Sequence, residues 1–307
     1  MVVGIPIPHV ADHYLLTVVR TDANREEIAM TATTSAPASG DGSIEPVHAS
    51  YFSLAVGALG FLLAGLGEVL HSTNASQLVF VMEVLGPLLI AIGVITYIDH
   101  LANRLGLWPV ILGIIGSMAW ALAELPYAMK PANVNVVSWV QFEWNVKGAA
   151  FLLISLSLFL VVARKEAQLE LGTSDPLTTI HASFKSLTFA AVGFFMTGIC
   201  YLEVAHSDGR WSRLDKSLVA IGLALIAVGV TTHIDHITNR LGRTAVVLGI
   251  IGIFMRALAY LPLVANLSFA TIEQWYRVGR YVSGAGLILV AVGLVLVSLR
   301  KRTLESA

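Results

Sequence analysis

Eight long apolar runs limit this chain to one class of fold. They lie near 50–70, 78–98, 107–126, 146–163, 185–203, 216–234, 244–263 and 280–299, with short polar links between them. Each is close to the roughly 20 residues a helix needs to cross about 30 Å of hydrocarbon. Backbone groups in lipid must be satisfied within the segment, so helices are the expected form. The runs are continuously apolar instead of alternating, which argues against a β-barrel. Only 13% of the residues are charged and the mean hydropathy is +0.77, whereas a soluble domain carries about 25% charged residues. The expected fold is therefore an all-α polytopic membrane protein with eight transmembrane helices, and the lipid bilayer is its first partner. A net charge of −1 offers no basic face for nucleic acid. Cys200 is the single cysteine, so an intrachain disulfide is excluded.

The runs fall into two matching sets. Ile98-Asp99-His100-Leu101-Ala102-Asn103-Arg104-Leu105-Gly106 recurs as Ile234-Asp235-His236-Ile237-Thr238-Asn239-Arg240-Leu241-Gly242, a register of 235 − 99 = 136. Gly113-Ile114-Ile115-Gly116, Leu125-Pro126, Trp139 and Gly148 recur at the same offset. A repeat of this length at one offset marks a duplicated structural unit. The expected units are 49–163 and 185–299, each with four helices, joined by a cytoplasmic linker over 164–184 and followed by a basic tail over 300–307. An even number of helices gives both units the same topology, as in parallel-repeat transporters. Gly86 and Gly93, matched by Gly222 and Gly229, are seven apart and share a helix face, where small residues let helices approach closely. The aromatic and basic links at 139–147 and 275–281 have the composition of interfacial anchors.

Residues 1–48 carry a Thr-, Ser-, Ala- and Gly-rich tract over 31–42, too poor in apolar side chains for a core, and the segment reads as disordered. It has no signal-peptide pattern, and either Met1 or Met30 would serve as the native start. Lys and Arg favour a cytoplasmic side carrying Arg104, Arg164, Lys165, Arg240 and the cluster Arg300-Lys301-Arg302. The expectation is an inner-membrane protein with both termini in the cytoplasm.

Ionisable groups within membrane helices are costly, so each needs a reason. One group belongs to the outer face: Glu68 and His71, three apart on one helix face, and Glu203 with His206, at an offset of 135. Glu83 and Glu124 fall in the same half of the membrane, and Arg256 lies deep in its run where the first unit has Trp120. A guanidinium at that depth belongs inside the bundle beside a carboxylate, with Glu68, Glu83, Glu124 and Glu203 as the partners available. The second group is the repeated motif at the inner face: Asp99, His100 and Asn103 with Asp235, His236 and Asn239. Its structural reading is a helix end, with Gly106 and Gly242 as C-caps and Arg104 and Arg240 against the helix terminus. Its functional reading is a symmetric polar site for an ion or a proton.

Three functions fit these residues. The leading one moves a small ion, proton or solute through a polar site between the units. The alternative is a non-catalytic subunit of a larger membrane complex, with other subunits or further copies of the chain as partners. The third is a redox subunit: His71, His206, His100 and His236, paired near the two faces, have the layout for haem or a transition metal, although all four stand at helix ends. The sequence carries no hydrolase, kinase or Cys-x-x-Cys signature, so an enzyme is not the expectation.

Overall fold

The computed structural model describes residues 47, 49–73, 76–129, 136–170, 180, 182–207, 211–232, 234–261, 264 and 272–306. Of the segment expected to be disordered, all but Val47 lies outside the described residues, Met30 included, and so does most of the expected linker beyond Glu170. All regular structure among the described residues is helical: α1 Tyr51–His71, α2 Gln77–Ile95, α3 Ile98–Leu105, α4 Leu107–Met129, α5 Val136–Glu170, α6 Phe184–His206, α7 Arg213–Thr231, α8 Ile234–Leu241, α9 Arg243–Leu258 and α10 Ile272–Ser306. Seven of them (α1, α2, α4, α5, α6, α7 and α10) are long and apolar enough to cross a membrane. The run expected near 244–263 becomes α9, whose 16 residues cover roughly 24 Å at 1.5 Å per residue before a turn at Ala259–Tyr260. It falls short of the expected eighth span.

Packing closes these helices into a ring. α1 lies against α2, α2 against α4, α4 against α5, α5 against α6, α6 against α7, α7 against α9, α9 against α10, and α10 against α1 again. Small residues set the spacing. A Cβ built on Gly86 of α2 would fall 2.6 Å from Cβ of Ala64 in α1, and one on Gly222 of α7 would fall 2.7 Å from the Gly193 carbonyl of α6. With no hydrophobic force between helices in lipid, such close backbone approach supplies the packing attraction. The glycines at 86, 93, 222 and 229 therefore serve helix contact, as their spacing predicts.

The repeated motif does not end the preceding helix. It forms separate short helices, α3 and α8, each stopped by a glycine at positive φ: 97° at Gly106 and 94° at Gly242. With ψ of 148° and 138°, both are in a region open essentially to glycine alone. Gly106→Ala and Gly242→Ala are each expected to cost about 1–3 kcal/mol, read as a lower melting temperature of the purified protein.

Guanidiniums from the long helices meet the ends of these short ones. Arg164 at the end of α5 donates to the Asn103 carbonyl at 3.0 Å, and Arg300 of α10 donates to the Asn239 carbonyl, also at 3.0 Å. The next residue in each helix ties down the chain entering the following one. Lys165 donates to the carbonyls of Ile180 and Ala182, and Lys301 to those of Val47 and Ala49.

Candidate functional site

Charged side chains gather at the end of the ring where α1, α4, α6 and α9 finish and α2, α5, α7 and α10 begin. There a cavity of about 400 Å³ lies on the ring axis. Glu68 of α1, Trp120 and Glu124 of α4, Lys147 of α5, Tyr201 of α6, Arg256 of α9 and Arg280 of α10 all line it.

Two charge clusters form its polar side. Lys147 Nζ stands 2.5 Å from Glu124 Oε1 and 2.5 Å from Glu143 Oε1, and each of the three residues is only 8% exposed. Glu143 and Lys147 are four apart on α5, so helix geometry brings them together. In the second cluster Arg280 Nη1 lies 2.8 Å from Glu83 Oε1 and 3.6 Å from Glu68 Oε2. His71 Nδ1 reaches the same Glu83 oxygen at 3.0 Å. The other oxygen of Glu83 is buried with no hydrogen-bond partner among the described residues.

Aromatic rings line the cavity beside these charges. Trp144 packs on Tyr201 at 5.2 Å and on Trp211 at 5.1 Å between centroids, and Tyr201 on Phe151 at 5.3 Å. Trp120 joins them through Phe151 at 5.8 Å. Arg256 lies over the Trp120 ring, 5.6 Å from its centroid. α4 and α9 are four places apart in the ring of eight, so this contact spans the interior.

The expected partner of Arg256 is corrected by this geometry. Among the described residues no carboxylate is within ion-pair distance of it, and its Nε is buried without a hydrogen-bond partner. The cations paired with the glutamates are Lys147 and Arg280, from links expected to act as interfacial anchors. Those links are the first turns of α5 and α10, and they point Lys147, Trp144 and Arg280 at the cavity. The sequence does carry a signal for this: Glu143 sits four residues before Lys147, and four acids in one membrane half need more than one base.

The pairing of Glu68 and His71 with Glu203 and His206 is corrected as well. In α1 and α6 the packing glycines correspond at 193 − 60 = 198 − 65 = 133, as do the N-cap serines Ser50 and Ser183. At that register the counterpart of Glu68 is Tyr201, and both line the cavity. Glu203 and His206 are exposed, and the His206 ring bonds to the Leu202 carbonyl of its own helix at 2.7 Å.

The chain, compared with known proteins, matches no protein family, no curated protein and no solved structure.

At the other end of the ring, Asp99, Asn103 and Asn239 are exposed, while His100 is half-buried and stacked on Tyr97 with centroids 4.7 Å apart. The side chains of Asp235 and His236 lie outside the described residues. Burial, with Arg104 and Arg240 nearby, holds the His100 imidazole below its ordinary pKa, and burial raises the Tyr97 phenol. Asp99→Asn is expected to change stability by less than about 1 kcal/mol, as for exposed charges; thermal unfolding checks it. His71, His100 and His206 are thus each engaged locally, and among the described residues no three His, Cys, Asp or Glu side chains are grouped to hold a metal ion.

Proposed function

We propose that this protein moves a small solute across the membrane and that the axial cavity is its binding site. The observation that carries the reading is the cavity itself. It holds Glu68, Glu124, Lys147, Arg256 and Arg280 on its lining, at helix positions where ionisable groups are costly. An ion pair that only fastens helices together does not require enclosed space beside it; a solute does.

The architecture behind the proposal is two same-topology units. Its support is the recurrence of helix bounds at 136: 77 and 213, 98 and 234, 107 and 243, 136 and 272, 170 and 306. Equivalent positions face the same cavity with different chemistry: Trp120 and Arg256, Glu124 and Tyr260, Trp144 and Arg280, Lys147 and Ser283. The Lys and Arg bias favours both termini in the cytoplasm of a cell membrane, a reading in which the shorter α9, packed along α10 from Ala245 beside Gly293 to Ala259 beside Gly279, completes an eighth crossing and the cavity stands at the external face. A reporter fused after Ala307 is expected to behave as cytoplasmic and one at Asn74 as external; an external C-terminus reverses the face at which the cavity stands.

Transport is tested with the full chain reconstituted in vesicles and offered a panel of small labelled solutes. At least one should accumulate above empty vesicles, and Ser283→Phe, which fills part of the cavity, should stop it while the protein still elutes as a single folded species. Uptake no greater than in empty vesicles for every solute, or uptake indifferent to Ser283→Phe, refutes the proposal.

A further inference from the structure

The cavity's cations are unequal. Lys147 is held between Glu124 and Glu143, and Arg280 between Glu68 and Glu83. Each already has two carboxylates, so neither can receive another anion without displacing one. Arg256 has only the face of Trp120 among the described residues. A cation over a ring interacts through its charge and leaves the N–H edge unused. A guanidinium presents five donors in a planar fork, and the Nε of Arg256 is buried without a partner among the described residues. Around it stand Trp120, Phe151, Tyr201 and Tyr260. Lys216, near the start of α7, adds a second positive charge to the same lining.

We infer that the solute is a small monoanion with a flat apolar or aromatic body, its acidic group bound by Arg256 and its body laid against the aromatic wall. The inference rests on reading the cavity as a solute site. A carboxylate matches the guanidinium fork with two parallel hydrogen bonds, the strong form of this contact. An uncharged solute would leave the Arg256 fork without a carboxylate contact, and a cationic one would be repelled by it. Each of the two clusters sets two carboxylates against one cation and so keeps one surplus negative charge. Arg256 and Lys216 offset these on the same lining, and the preference for an anion is local to the Arg256 fork, which no carboxylate contacts among the described residues. A volume of about 400 Å³ holds one aromatic ring with a short acidic arm and excludes a lipid.

Three probes with one ring and different charge test the inference: benzoate, benzamide and benzylamine. Binding to the purified full chain in detergent is read from tryptophan fluorescence, since Trp120, Trp144 and Trp211 line the cavity. Benzoate should bind at least about tenfold more tightly than benzamide, the gain of a charge-assisted over a neutral contact, and benzylamine should not bind. Arg256→Gln should bring benzoate down to the affinity of benzamide, and Arg256→Lys should keep part of the difference. Equal affinity for benzoate and either other probe overturns the inference, as does benzoate binding unchanged in Arg256→Gln. Should that variant fail to fold, the ranking of the three probes on the unaltered protein still decides. Absence of binding by all three also overturns it, and the uptake experiment with Ser283→Phe judges the solute site separately.

Discussion

Replacing Lys147 with methionine is expected to cost about 3–5 kcal/mol, the penalty for removing one partner of a buried ion pair. The methionine fills most of the same space, so packing contributes little to the loss. What remains are the Glu124 and Glu143 carboxylates, both 8% exposed, which shared one cation at 2.5 Å each. Neutralising them alongside, as Lys147→Met with Glu124→Gln and Glu143→Gln, should restore most of the stability, because neutral groups of similar volume replace buried charges at little net cost. Glu143→Gln alone should be mild, since it leaves one carboxylate for one ammonium. Thermal unfolding in a single detergent ranks the variants. A single Lys147→Met variant as stable as the triple one would mean that the three groups are not coupled.

The same substitution three residues apart on α9 should have opposite effects. A Cβ on Gly252 would run into the Gly286 carbonyl oxygen of α10, and one on Gly286 would run into the Gly252 carbonyl oxygen in return. Both obstacles are backbone, which can yield only if the helices separate. Gly252→Ala is therefore expected to cost about 2–3 kcal/mol, at the upper end for overpacking. A Cβ on Gly249 meets nothing within 4 Å, so Gly249→Ala should be neutral or should stabilise by about 0.5–1 kcal/mol through helix propensity. Melting temperatures of the two variants, measured together, check the contrast; a loss at Gly249 equal to that at Gly252 would contradict the close approach of α9 and α10.

What the sequence discloses about this protein follows from how far each interaction reaches. Apolar runs of about 20 residues announce spanning helices because lipid leaves the backbone no other solution. α9 departs from this: its run is long enough, but a turn at Ala259–Tyr260 ends the helix early. The separate helix at 98–105 is hidden because Asp99, His100 and Asn103 suit a helix end as well as a helix of their own. The site is half visible. Glu68, His71, Glu83, Glu124 and Arg256 do gather at one end of the ring, yet their pairings depend on which helices are neighbours, and spacing along one chain does not carry that. Arg256 draws attention by its depth. Arg280 and Lys147, closer to the links, are the partners because α10 lies beside α1 and α5 beside α4. The false match of Glu203 to Glu68 comes from counting residues through a turn, where the two halves differ in length, instead of along the glycines that fix the helix contact.

Trp120 and Arg256, on opposite sides of the ring axis, could not meet in an assembly of two separate identical chains. A twofold axis sets like against like: two indoles, or two guanidiniums repelling each other. On the two-unit architecture proposed above, a single continuous chain frees the equivalent positions to differ, and they do so throughout the cavity, with acid facing phenol and indole facing guanidinium. A cavity with twofold symmetry would accept an elongated guest in two equivalent orientations. This one distinguishes head from tail, so a guest with one charged end has a single way to lie in it.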